Sequence, residues 1–74
     1  MDEAVLIQDA RRGDLEAFNR LVLAYQDVVY YQAFRLLGER QYAEDAAQTA
    51  FISAFRKLGS FRGGSFKAWM LRIV

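Results

Sequence analysis

Apolar residues in this chain recur at spacings of three and four, which is a helical pattern. The clearest stripe is Leu15, Phe18, Leu21, Val22, Tyr25, Val28, Val29 and Leu36. It predicts a helix of more than twenty residues over 15–37, with Asp14 as N-cap and Gly38 as the left-handed residue that ends it. A weaker stripe of Val5, Leu6 and Ala10 predicts a short helix over 3–12, closing at Arg11-Arg12-Gly13. A third helix is expected from near Tyr42 to Leu58, with Glu44 and Asp45 in its first turn and Arg56 and Lys57 in its last. Both placements suit the helix dipole, and Gly59 stands just past the end. The glycines of 59–65 mark a loop, and Ser65 is placed to cap a fourth helix from Phe66 to Val74. The expected fold is all-α, a small bundle of three to four helices with no strand. Phe18, Val22, Tyr25, Phe51, Ala54, Leu58 and Trp69 are its expected buried residues.

At about 100° per residue, the third helix has two distinct faces. Ala43, Ala47, Ala50, Phe51, Ala54 and Leu58 share one arc, with Phe55 at its edge, and form a core stripe whose alanines allow close approach. Asp45, Gln48, Thr49, Ile52 and Arg56 share the other. Ile52 is the odd member, an apolar residue centred in a polar face. It reads as an interface anchor, although single exposed apolar residues are also ordinary.

Composition narrows the function classes. The 74 residues make one domain at most, 54% apolar and 26% charged, with a thin core. The chain has no cysteine and no histidine, which excludes disulfides, thiolate chemistry, the common zinc sites and any Ser/His or Cys/His pair. Glu44 and Asp45 are adjacent, so about 100° apart on a helix, which is poor geometry for shared acid–base work. No catalytic residue, metal ligand or cofactor is expected. The acidic start Met1-Asp2-Glu3 is no signal peptide, and no apolar run is long enough for a membrane span. The simplest expected location is the cytoplasm.

Charge adds a partner class. The net charge of +1 conceals an asymmetry, because all nine acids lie at or before Asp45. Residues 46–74 carry Arg56, Lys57, Arg62, Lys67 and Arg72 with no acid at all. A basic third on an acidic body suits a polyanion, and suits a merely solvated face as well. Within the basic third, Phe61, Phe66 and Trp69 are interleaved with Arg62 and Lys67 around Gly63 and Gly64. Rings that stack on bases and cations that hold phosphates are what single-stranded nucleic acid requires. Phe66 and Trp69, three apart, also read as core residues of the fourth helix, and Trp69 is expected there. The loop is no phosphate-cradling P-loop, since it lacks the Gly-Lys-Ser/Thr end.

Tyr42-Ala-Glu-Asp-Ala-Ala-Gln-Thr-Ala-Phe-Ile-Ser-Ala-Phe-Arg-Lys-Leu58, followed by Phe61-Arg-Gly-Gly-Ser-Phe-Lys-Ala-Trp-Met-Leu-Arg-Ile73, resembles region 2 of bacterial extracytoplasmic-function (ECF) sigma factors. The Leu-Ile…Arg-Gly-Asp…Ala-Phe…Leu…Tyr run at 6–25 and Arg-Leu-Leu-Gly at 35–38 extend the likeness over nearly the whole chain. The resemblance implies an all-helical domain, residues 1–74, that binds core RNA polymerase and recognises and melts the promoter −10 element. Asp45, Gln48, Thr49, Ile52 and Arg56 would face a coiled coil of the largest polymerase subunit; Phe51, which the family places in this region, stays in the core on helical phase. Thr49 stands where the family commonly has an acid. Ser60, Phe61, Arg62, Gly63, Gly64, Ser65, Phe66, Lys67 and Arg72 would bind DNA, with Phe61 or Phe66 facing an unstacked base of the single-stranded non-template strand. An anti-sigma factor is a further partner class that the resemblance brings in.

The fourth helix stops in the middle of its apolar pattern, so the chain reads as the N-terminal domain of a longer protein, truncated at its C-terminus. In the family a basic stretch and a helix-turn-helix that reads the −35 element follow. The competing reading is a helical interaction module that binds a regulator and not DNA. The charge asymmetry and the aromatic loop favour the initiation-factor reading.

Overall fold

The structure is a computed structural model that describes residues 2–74. It consists of α1 (Glu3–Arg11), α2 (Leu15–Leu37), α3 (Arg40–Lys57), a 3-10 turn over Leu58–Ser60, and α4 (Phe66–Ile73), with no strand among the described residues. Each start that the sequence marks with a cap is capped in fact. The Asp14 carboxylate accepts the amides of Glu16 and Ala17 at 3.0 and 3.2 Å, and Ser65 Oγ accepts that of Ala68 at 3.1 Å. Asp2 does the same for α1 by accepting the Ala4 amide at 3.1 Å. Gly38 sits at φ 73° and closes α2 with a bond from its amide to the Phe34 carbonyl.

At 1.5 Å per residue the 23-residue α2 is about 34 Å long, which matches the longest dimension of the molecule, 34 Å. α3 turns back along it. Ala43, Ala47, Ala50 and Ala54 are all buried on the facing side, so the two backbones lie close. α1 packs on α2 and on the 3-10 turn, and α4 closes the bundle against α2 and α3 through Phe66 and Met70. The core runs through Leu6, Ile7, Phe18, Leu21, Val29, Leu58, Phe61, Phe66 and Met70.

Several expectations are corrected. α3 begins at Arg40 rather than near Tyr42, so Glu44 and Asp45 lie beyond its first turn. Their partners are one turn back. Arg40 Nε donates to Glu44 at 3.0 Å and Gln41 Nε2 to Asp45 at 3.2 Å, the i,i+4 pairing that stabilises a helix surface. α3 ends at Lys57, where the chain tightens. Ser60 Oγ donates to the Lys57 carbonyl at 2.6 Å and the Phe61 amide to that of Leu58 at 3.1 Å. A 3-10 turn needs no left-handed residue, and Gly59, inside it, does not have a positive φ.

In α1 the buried partner of Leu6 and Ala10 is Ile7, whereas Val5 is exposed. Leu15 and Leu36, read as part of the α2 stripe, are 66% and 68% exposed. They stand near the two ends of a helix that outreaches its short neighbours α1 and α4. Phe18, Ala54 and Leu58 are buried as expected, while Val22, Tyr25, Phe51 and Trp69 are only half-buried. No described helix is long and apolar enough to cross a membrane.

Candidate functional site

The first candidate surface is the outer face of α3. Asp45, Gln48, Thr49, Ile52 and Arg56 are all exposed, and Ile52 keeps 49% of its surface in solvent. The alanine stripe holds the opposite side of the helix against α2, which forces these five outward. Between α3 and α2 lies an open groove of about 980 Å³. Gln48, Ile52 and Arg56 line it; Asp45 and Thr49 stand outside it.

Phe51 and Phe55 line the same groove. Phe55 meets Phe18 edge-on with ring centroids 5.0 Å apart. Phe51 is therefore neither a pure core residue nor a surface residue. Helical phase turns it inward, and the small residues around it leave half of it uncovered. Sequence reasoning missed the α2 side of the groove, which includes Leu15, Asn19, Val22, Gln26 and Tyr30. The signal was an α2 stripe wider than the alanine face of α3 can cover.

The second candidate surface is the loop after the 3-10 turn. Ser60, Arg62, Gly63, Gly64, Ser65, Lys67 and Arg72 are exposed. Gly63 and Gly64 sit at φ 95° and 78°, consecutive left-handed residues that only glycine adopts at little cost. A Cβ at either would meet no atom within 4 Å, so these glycines serve the backbone path rather than close packing. Arg62, Lys67 and Arg72 have no ion-pair partner among the described residues.

Phe61 and Phe66, expected on the DNA-binding surface, are core rings in the structure. They are 5% and 1% exposed. The double-glycine turn folds the loop back so that the two rings meet edge-on at 5.6 Å. Each also packs on Trp69, at 5.4 and 5.7 Å, and Phe66 lies 5.5 Å from Tyr25. These two rings clamp the ends of the loop, and the surface presented outward is cationic and backbone. Of the three aromatics around the loop, only Trp69 keeps part of its surface in solvent.

Below this cluster the Tyr25 hydroxyl donates to the Glu3 carboxylate, joining α2 to the start of α1. That hydrogen bond, then burial and the charge of Glu3, push the phenol up to about 12. A second tie from α1 was not legible from spacing, since it spans 48 positions. Arg11 Nη2 donates to the Gly59 carbonyl at 3.3 Å. Among the described residues no cluster of carboxylates is arranged to hold a metal ion.

The small helical bundle thus carries two candidate surfaces, one with a largely apolar groove and one basic. The profile of the sigma-70 region 2 family matches residues 21–74. The chain belongs to the sigma-70 region 2 family. It is 46% identical over 70 residues to RNA polymerase sigma-H factor of Pseudomonas aeruginosa, covering 93% of this chain and 36% of that protein. It is 40% identical over 75 residues to ECF RNA polymerase sigma-E factor of Escherichia coli, covering all of this chain and 39% of that protein. The chain thus spans little more than a third of the length of these curated relatives.

Among solved structures, an engineered region 2 of sigmaE determined by NMR in complex with GTAAAA superposes with a TM-score of 0.91. That likeness, at 36% identity, covers 99% of this chain and 77% of the other. The region 2 fold is therefore shared over essentially the whole chain, loop included.

Proposed function

We propose that this region 2 domain is part of a transcription initiation factor. It docks on core RNA polymerase by the outer face of α3 and takes the single-stranded −10 element at the loop and α4. The observation that carries the reading is the match over 99% of the chain to a region 2 that was solved in complex with GTAAAA. The exposed cations Arg62, Lys67 and Arg72 support it, because unpaired charges beside a glycine turn are free to meet phosphates. Ser60 and Ser65 spend their side chains on the loop's own geometry, so their part is to hold it in shape. Phe61 and Phe66 act from beneath as clamps, and base contact falls to the loop backbone and the exposed part of Trp69.

On α3, Ile52 beside Gln48 and Arg56 has the make-up of an interface centre, an apolar anchor within a polar rim. The partner is the coiled coil of the largest polymerase subunit, with Asp45 and Thr49 at the edge of the contact. An anti-sigma factor is a further partner, and the cytoplasm is the place of action.

The test is binding of the chain to core RNA polymerase. Ile52→Ala and Asp45→Ala should each weaken it by more than about 1 kcal/mol, with far-ultraviolet circular dichroism unchanged. Undiminished binding by both variants would leave the α3 face a solvated surface and remove the docking half of the reading.

A further inference from the structure

By sequence Arg11 belongs to the acidic body, and the fold moves it out. Its guanidinium donates to the Gly59 carbonyl at 3.3 Å, at the foot of the loop that ends in Phe66. The way in which it is held matters. Arg12, Arg20 and Arg40 are each paired with a carboxylate one turn away, Asp9, Glu16 and Glu44. Arg11 has no such partner among the described residues and shares that state with all five cations of the basic third. Arg35, on the last turn of α2, is the remaining cation without an ion-pair partner among the described residues. A backbone carbonyl occupies one of the five guanidinium hydrogens and neutralises none of the charge. The fork is placed at the foot of the loop by this contact, is exposed, and has donors to spare.

We infer that Arg11 is a phosphate-binding residue, by which α1 lends a cation to the surface that takes single-stranded nucleic acid. It grips the backbone on the Gly59 side of the loop, while Arg62 and Lys67 act on the other. The inference rests on the nucleic-acid reading of the loop proposed above. Arginine suits the role because its planar fork matches two phosphate oxygens at once. A purely structural alternative exists, in which the bond only ties α1 to the 3-10 turn. The two roles differ in their salt dependence. Each phosphate neutralised on a single strand contributes about 0.7 to the slope of log affinity against log salt, whereas a lost structural tie leaves that slope alone.

The experiment titrates a fluorescent single-stranded GTAAAA oligonucleotide with the chain over a series of salt concentrations, reading anisotropy. Arg11→Ala should weaken binding and lower the slope by about 0.7. Arg11→Lys should restore the slope, since the point charge remains. Arg12→Ala removes the same unit of charge from an arginine already paired with Asp9, and should leave the slope near that of the unchanged chain. A slope unchanged in Arg11→Ala overturns the inference, whether affinity holds or falls equally at every salt concentration without rescue by lysine. Arg62→Ala separates the two levels. If it lowers the slope while Arg11→Ala does not, only the role of Arg11 is lost. If neither does, or the unchanged chain fails to bind, the nucleic-acid reading falls and Arg11 with it.

Discussion

Tyr25 donates its phenolic hydrogen to Glu3 from the underside of the aromatic cluster, and this one contact makes stability depend on pH. The folded chain holds the phenol at about 12 against an ordinary value of 10.0. The unfolded chain therefore gives up its proton first as pH rises. The contribution of the bond is complete below pH 10 and is lost as pH climbs from 10 towards 12. Urea denaturation of the chain and of Tyr25→Phe should show a stability gap that is constant below pH 10 and shrinks above it. Glu3→Gln removes the carboxylate's charge and should move the late Tyr25 tyrosinate absorbance step to lower pH. A gap that persists unchanged to pH 12 would contradict the hydrogen bond. Nothing in the spacing of residues 3 and 25 announced this pair, which depends on the angle at which α1 returns along α2.

The helices themselves were legible to within two residues, because caps and apolar spacing agree at most boundaries. The start of α3, expected two residues late, was the least exact. The dipole rule drew Glu44 and Asp45 into a first turn, yet both acids serve i,i+4 pairs with Arg40 and Gln41, and those pairs were also present in the sequence. The exposed residues of the candidate site were legible too, since each face of α3 follows from helical phase. Phe61 and Phe66 were misplaced for a different reason. Two aromatics on either side of a glycine turn look free in one dimension, and only the left-handed pair Gly63–Gly64 folds them onto each other. α4 is the least self-sufficient element, with eight residues where an isolated helix needs about 12–15. Its cap therefore matters more than its single hydrogen bond suggests. Ser65→Ala should cost about 1 kcal/mol and speed hydrogen exchange at the amides of Ala68 and Trp69, with α2 amides unaffected. Uniform loss of protection across the bundle would show that α4 unfolds only with the whole.

On the proposed reading, the molecule separates two tasks by geometry and charge. One side of α3 is alanine and is spent on packing against α2, which leaves its other side in solvent. Folding also brings Arg11 to the foot of the loop that carries Arg62, while acids of the first forty-five residues hold Arg12, Arg20 and Arg40. That sorting is what a domain needs if it is to be steered onto a polyanion without losing its own cohesion. The region 2 resemblance was readable because the motif residues in the loop and on α3 keep their order and spacing. The buried Phe61–Phe66 pair beneath them was not, and on the proposed reading it leaves the loop backbone and cations, rather than these rings, to meet a ligand. The most direct test is an NMR titration of the chain with a single-stranded −10 non-template oligonucleotide at low salt. Amide shifts should map to Arg62–Lys67, the first turn of α4 and the Trp69 indole, with the Phe61 and Phe66 ring resonances still those of packed side chains. Shifts confined to residues 1–45, or release of the two phenylalanine rings on binding, would contradict it.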